Sequence, residues 1–378
     1  MAGRKHEILL ISPQAPPYGG MALQARLLQQ LMERDGVPVT FLASNLAFPR
    51  WLAFCEWLRG VRPFLRSTVF CCRLWRLLGR ADVVHILACS WLYYFVVVCP
   101  AVVLSRLRGK RVILNYRGGE ADSFLASYGV FAKPFFKMAH TVTTPSKFLV
   151  EVLGRRVGVD VQIVPNVVDF GRFRFRRRQE FRPRIVVTRH LEKLYDVESV
   201  IRAFGLVQRR YPEAELHIAG TGDQETHLRG LVETLNLNHV VFAGYVPTHD
   251  LPALYDACDI LLNASLADNF PASLVEGAAA GLAVVSTGVG GIPYIFEHND
   301  SALLVPPGDW RALAASVLRV LDEPGLGTRL ATQALQQCRQ YDWINVRSAL
   351  YATYGLEDMT LKAVSASTVD APVAGRKR

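Results

Sequence analysis

The chain has 378 residues, half of them hydrophobic and a fifth charged, and its 43 Lys and Arg against 33 Asp and Glu leave a formal charge of +10. That composition excludes a disordered or disulfide-stapled protein and gives room for two domains, each with its own interior. The cation surplus points to anionic partners: phosphorylated small molecules or an acidic membrane surface rather than nucleic acid, for which no binding motif or zinc-ligand spacing is present.

The N-terminus, MAGRKHEILLISP, has a basic start, but its apolar run ends at Ser-Pro too early for a signal peptide and reads as a first strand, Glu7 to Ile11. Seven cysteines, Cys55, Cys71, Cys72, Cys89, Cys99, Cys258 and Cys338, form no C-x-x-C pair and read as buried free thiols of a reducing compartment. The vicinal Cys71 and Cys72 leave a redox role open. The loop SPQAPPYGG ends at Gly19 and Gly20, ahead of a helix predicted over Met21 to Asp35. Glycines between a strand and a helix let backbone N–H groups approach a ligand, although a plain tight turn explains them equally and no G-x-G-x-x-G is present.

Val37 to Ala43 reads as the second strand, and Phe48 to Leu78 as an Arg- and Trp-rich helical stretch broken near Gly60 and Pro63. Its alternation of Arg with Trp, Phe and Leu suits an interfacial amphipathic helix, or equally a helix packed on a sheet with Arg outward. Val83 to Leu104 is long enough to span a bilayer, but its Cys-Ser and Cys-Pro interruptions favour a buried strand followed by a core helix. The strand Val112 to Asn115 delivers Arg117, Glu120 and Asp122 to a loop at its carboxyl end, either as acceptor-side groups or as a salt-bridged surface. Thr141 to Pro145 and Val161 to Val164 are further short strands, with Ser146 placed to cap a helix from Lys147.

Seven arginines then fall within residues 172–184, Arg172, Arg174, Arg176, Arg177, Arg178, Arg182 and Arg184, without strong periodicity, and read as a solvated linker. Beyond it the βα rhythm resumes: strand Ile185 to Thr188, helix Val197 to Arg210, strand Glu215 to Ala219, the turn at Gly220 and Gly222, strand Val240 to Ala243, helix Leu251 to Ala257 and strand Ile260 to Asn263. Such alternation predicts an α/β chain with parallel sheets. A helix is predicted from Pro271 to Ala280, stopped by Gly281, with Asp268 before its start and Glu276 inside it. Its N-terminus favours an anion and the two carboxylates suit polyol hydroxyls, while an ordinary capped helix with a solvated Glu remains the alternative. The residues after Leu356, small and polar, read as disordered.

Together these residues resemble the retaining GT-B glycosyltransferases of family 4 over about Ile8 to Tyr354. The specific matches are SLADNFPASLVEGAAAGLAVV, where Asp268 and Glu276 have the spacing of the family's acidic pair, and the downstream GGIPYIFEHNDSALLVPPGD. The resemblance implies a GT-B fold of two Rossmann-like parallel-sheet domains facing a cleft. Its divisions would be 1–170, the Arg-rich linker 171–184, a nucleotide-sugar domain 185–340, a helix 341–360 crossing back from DWINV, and the tail 361–378. It implies that Arg189 and Lys193 hold the donor's diphosphate and stabilise its departure, so that no bound metal or other cofactor is needed. Glu276 would hold the ribose, and Asp268 with the N–H groups of Asn269, Phe270 and Ala272 the sugar. Gly19, Gly20, Gly220 and Gly222 would line the diphosphate and nucleotide.

The expected reaction transfers a hexose or N-acetylhexosamine from a nucleotide diphosphate sugar to a hydroxyl, here of a lipid-linked glycan or polysaccharide precursor, by a cytoplasmic enzyme peripheral to an anionic membrane. A non-catalytic nucleotide-sugar-binding module and, with less support, a sugar-nucleotide epimerase are the alternatives. The sequence departs from the family in having Asp268 for the usual Glu and Arg117 where a His is common, which leaves the sugar open.

Overall fold

The computed structural model describes residues 7–15, 19–45 and 62–356. The expected helix over Phe48 to Val61, Cys55 and the tail beyond Leu356 lie outside the described residues. The chain divides into two compact units, one of Met1–Pro145, Leu149–Val167 and Trp343–Arg378, the other of Ser146–Phe148 and Val168–Asp342.

In the first unit the chain runs β1 (Ile8–Ser12), α1 (Gly20–Arg34), β2 (Val39–Ala43), α2 (Arg62–Leu77) and β3 (Val83–Ala88). It continues through a π-helical turn, Tyr94–Val98, into α3 (Cys99–Leu107), β4 (Arg111–Tyr116), α4 (Ala121–Met138), β5 (Thr141–Thr144), α5 (Lys147–Arg156) and β6 (Gln162–Ile163). All six strands are parallel, in the order β2-β1-β3-β4-β5-β6. Every residue of β1 and β3 is buried, as expected for strands covered on both faces, which explains why both read as continuous apolar runs. The long apolar stretch Val83 to Leu104 is therefore a strand, a turn and the start of a core helix. Among the described residues no helix is long and apolar enough to cross a membrane.

The second unit runs β7 (Arg184–Thr188), α6 (Val197–Arg210), β8 (Glu215–Ala219), α7 (Glu225–Thr234), β9 (Val240–Gly244), α8 (Leu251–Ala257), β10 (Ile260–Asn263), α9 (Ala272–Ala280), β11 (Ala283–Thr287), β12 (Leu303–Val305), α10 (Trp310–Asp322) and α11 (Leu326–Cys338). Its parallel sheet has the order β12-β11-β10-β7-β8-β9. The order reverses between β7 and β10, so the loops leaving their carboxyl ends diverge there and open the crevice in which such sheets bind ligands. One core, with Ile185, Phe204, Leu216, Leu262 and Val317, lies on one side of this sheet. Another, with Val186, Leu261, Leu274, Val284 and Phe296, lies on the other, as the alternation of strand side chains requires.

Residues 171–184 are not the solvated linker expected from their charge. They belong to the second unit, and three of their arginines converge on Asp259, which is 1% exposed. Arg176 Nη2 and Arg178 Nε reach one carboxylate oxygen at 2.5 and 2.8 Å, and Arg182 Nε the other at 3.0 Å. The physical reason is Asp259 itself, a buried charge between α8 and β10 that costs several kcal/mol unless it is paired. Arg178, itself buried, also donates to the carbonyls of Tyr255 in the last turn of α8 and Cys258 just beyond it, and of Ala280 at the end of α9 and Gly281 just beyond it. One guanidinium thus caps two helix C-termini, where a cation is favoured.

A last helix, α12 (Trp343–Tyr354), belongs to the first unit. Trp343, Tyr351 and Tyr354 pack into a core with Ile8, Leu10, Val83 and Leu87, and both the Trp343 indole and the Tyr351 hydroxyl donate to Asp35. The described cysteines are all free; Cys99, Cys258 and Cys338 are buried as expected, whereas Cys72 is exposed on α2.

Candidate functional site

The expected second-unit residues gather at the carboxyl edge of that sheet. Arg189 directly follows β7, Gly220 and Gly222 follow β8, and Asp268 to Phe270 lie in the loop from β10 to α9. The loops are tied together by their main chains: Arg189 N–H donates to Ala219 O, Leu191 N–H to Thr221 O and Leu266 N–H to Leu194 O. The last bond sets the short 3₁₀ turn Lys193–Tyr195 against the loop that carries Asp268.

Arg189 Nη2 lies 3.0 Å from Asp268 Oδ2, and its Nε donates to Asn263 Oδ1 at 2.8 Å. The two side chains of the ion pair are only 11% and 14% exposed, so this is a sheltered pair. Yet Nη2 lacks the alignment of a hydrogen bond to any partner. Asp268 Oδ1 accepts from Phe270 N–H at 3.1 Å, a short-range turn made by the side chain. That changes the expected assignment: the Phe270 N–H is already occupied, and the Phe270 ring is buried edge-on to Tyr341 rather than facing a ligand. Lys193 is exposed.

Helix α9 begins after Pro271, which sits at its N-cap, and ends at Gly281, whose φ of 82° is the left-handed conformation expected from the sequence. Ala272 is its first residue and Glu276 lies one turn further in. Glu276 is half-buried, and burial pushes its carboxyl up to about 7 despite the opposing charges of Arg172 and Arg189 and the hydrogen bond from Tyr255. That hydrogen bond, Tyr255 Oη to Glu276 Oε2, is long at 3.4 Å, and Thr188 Oγ1 lies 3.0 Å from the same hydroxyl. A half-buried and only weakly supported carboxyl has acceptor capacity left for the hydroxyl donors of a polyol, and accepts them with less competition from water than a fully solvated capped-helix Glu would.

The downstream GGIP segment acquires a specific role. Gly291 N–H donates to Asp268 O, and a methyl group at Gly290 or Gly291 would overlap the carbonyl oxygens of Asp268 and Asn269. These two glycines seat the backbone of the acidic loop. In the same way a methyl at Gly220 or Gly222 would strike the carbonyls of Arg189 and Leu191, so both are needed for loop packing before any ligand is considered.

In the first unit Gly19 and Gly20 open α1, with both residues exposed and clear space around their Cα atoms. The three acceptor-side candidates do not form one constellation. Arg117 is turned inward: Nε donates to Asn115 Oδ1 at 2.8 Å and Nη1 to Asn166 Oδ1 at 2.5 Å, and burial draws its pKa down to about 10. Glu120 accepts from the Trp91 indole at 2.7 Å. Asp122 is the salt-bridged surface group of the competing account. Hydrogen bonds from Arg156 and Arg155 hold its carboxyl at about 2, too acidic for a base that works near neutrality.

Sequence reasoning missed Tyr255 and Asn263, which hold Glu276 and Arg189, and the signal for Tyr255 was its place in the last turn of α8, just ahead of the strand β10 that flanks the reversal point. It also missed His85, buried in β3, whose Nδ1 lies 2.5 Å from Tyr354 Oη. Burial and the neighbouring Arg117 charge push that imidazole down to about 3. Among the described residues no three His, Cys, Asp or Glu side chains are grouped as metal ligands.

Comparison with known proteins agrees with this architecture. Residues 18–172 match the model of "Glycosyltransferase Family 4" and residues 172–337 that of "Glycosyl transferases group 1". An uncharacterized glycosyltransferase of Methanocaldococcus jannaschii is 32% identical over 160 residues, 42% of this chain and 41% of the relative. The mannosylfructose-phosphate synthase of Agrobacterium fabrum is 31% identical over 170 residues, 42% of this chain and 37% of the relative. The chain thus spans less than half the length of these curated relatives. Among solved structures, sucrose-phosphate synthase from Thermosynechococcus elongatus superposes with a TM-score of 0.74 at 17% identity, covering 95% of this chain and all of that one. Anabaena HepE in complex with UDP and glucose gives 0.69 at 16%, covering 96% and 100%. With a GT-B fold and two adjoining family matches that run from residue 18 to 337, the chain belongs to the group 1 glycosyltransferases.

Proposed function

We propose that the chain transfers a hexose or N-acetylhexosamine from a nucleoside diphosphate sugar to a hydroxyl acceptor, with retention of the anomeric configuration. The observation that carries this reading is the joint placement of a sheltered Arg189–Asp268 pair and of Glu276, held beside Tyr255, at the carboxyl edge of the second sheet, beside its reversal point. Glu276 is the ribose-binding group. Asp268, with the N–H groups at the start of α9, orients the sugar. Arg189 and Lys193 carry the charge that develops on the leaving diphosphate, so the residues themselves supply what a metal would. The departing phosphate oxygen takes the acceptor proton.

Structural neighbours bound to UDP and glucose support a nucleotide-sugar donor, and relatives such as an amylovoran biosynthesis glycosyltransferase of Erwinia amylovora support a role in polysaccharide biosynthesis; the acceptor in this reading is a lipid-linked glycan or polysaccharide precursor. The enzyme works at the cytoplasmic face of the membrane that carries such an acceptor. Thermal-shift titration with UDP-, GDP- and ADP-sugars tests the donor, since a ligand bound to the native state raises its melting point. NMR of the product then reads the anomeric configuration. Failure of every donor to shift the wild-type protein refutes the reading, and binding without hydrolysis or transfer would make the chain a binding module.

A further inference from the structure

We infer that the outer layer of α2, α3 and α4 in the first unit is a docking face for an anionic lipid surface. The three helices pack side by side, α2 on α3 and α3 on α4. Residues 62–138, which carry them together with β3 and β4, contain twelve Lys and Arg, of which Arg117 is turned inward, against three Asp and Glu, whereas the surplus of the whole chain is ten.

Hydrophobic groups protrude from the same layer. Helix α4 buries Phe124, Leu125, Ala132 and Phe136, as an amphipathic helix should, yet among its exposed residues, beside Ser127 and Lys137, Val130 and Phe131 are 85% and 67% exposed. Leu107 at the end of α3 is 71% exposed, and Phe64 and Trp75 stand out from α2. Arg108 lies over the Trp75 ring at 3.7 Å, so a cation and an aromatic face are presented together.

Rings and aliphatic tips set among guanidinium groups match the boundary between headgroups and acyl chains, where apolar burial and attraction to phosphate add. A second copy of this chain fits poorly, because a two-fold contact would bring two cationic faces together. Nucleic acid would use the cations and leave Val130, Phe131 and Leu107 without a partner. The arginines of residues 172–184 add little to such a face, since Arg176, Arg178 and Arg182 are engaged with Asp259.

The inference deepens the reading of a membrane-borne acceptor and is tested apart from donor binding. Co-sedimentation with vesicles of phosphatidylglycerol and phosphatidylcholine should show binding that weakens with salt, and vesicles of phosphatidylcholine alone should bind far less. Val130→Ser with Phe131→Ser should lower partitioning at least about tenfold, and Arg73→Glu with Arg76→Glu should abolish the preference for anionic lipid. Both pairs should keep the wild-type melting temperature and donor-induced shift, because these side chains are exposed. Equal binding to neutral vesicles, unchanged partitioning of the Val130/Phe131 variant, or retention on heparin or RNA without vesicle binding overturns the proposal. A protein that binds donor but no vesicle overturns the docking face alone; one that binds vesicles but no donor overturns the transferase reading alone.

Discussion

Replacing Glu276 by Gln should make the second unit more stable while weakening its hold on donor. Glu276 titrates near about 7 in the fold against 4.5 for a free carboxyl, because burial disfavours the ionised form. The folded state therefore binds more protons than the unfolded state between these values, so stability falls as pH rises from about 4.5 to about 7 and stays reduced above. The shift corresponds to at most about 3 kcal/mol at neutral and higher pH. Gln, with no charge to desolvate, removes that penalty. Urea unfolding of Glu276→Gln near pH 8 should show a gain of about 1–3 kcal/mol, and near pH 4.5 almost none. In the same samples the donor-induced rise in melting temperature should shrink or vanish. If the variant is destabilised equally at both pH values, the carboxylate is ionised and well supported in the fold, and the argument that its cost is kept for ligand binding fails.

Asp259→Ala should cost about 3–5 kcal/mol by leaving buried Arg178 without its counter-charge, whereas Asp259→Leu with Arg178→Met should cost clearly less; chemical denaturation of the three proteins decides. Lys193→Ala and Arg189→Ala should each lower turnover by several orders of magnitude with the far-ultraviolet spectrum unchanged, and initial rates near those of the wild type would refute their assignment to the diphosphate. His85 is kept neutral by burial, with its pKa lowered to about 3. The folded state thus binds fewer protons than the unfolded one, and stability is lost as pH falls from about 6.5 towards 3. His85→Gln should flatten that acid limb in melting curves of the first unit, and an unaltered pH profile would show that other groups govern it.

The repeating strands and helices were legible because inner strands such as β1, β3, β10 and β11 are buried at every position and mostly apolar, while the helices alternate with a period of their own; α6, β8, α8 and β10 have the bounds read from the sequence. Asp268 and Glu276 were legible as a pair because a proline opens their helix and a glycine closes it. What could not be read were interactions that depend on distance along the chain. The arginines of residues 172–184 look like a solvated run until Asp259, some eighty residues away, is folded beneath them. Asp122 looks like a loop acid until α5 brings Arg155 and Arg156 to it. Arg117 looks like a ligand clamp, but Asn166 draws it inward. In each case the residue type was visible and its partner was not.

Helix α12 has a consequence for the order of events during synthesis. The second unit is nearly continuous in sequence and is complete once Asp342 has been made, while the first unit, begun earlier, still lacks the residues that fill its core around Ile8, Leu10 and Leu87. Domains generally fold on the ribosome from the N-terminus onward. Here the earlier unit must wait, with its sheet formed and one apolar side open, for the last helix to arrive. A released chain that stops at Asp342 would therefore contain every residue of the second unit and an unfinished first one.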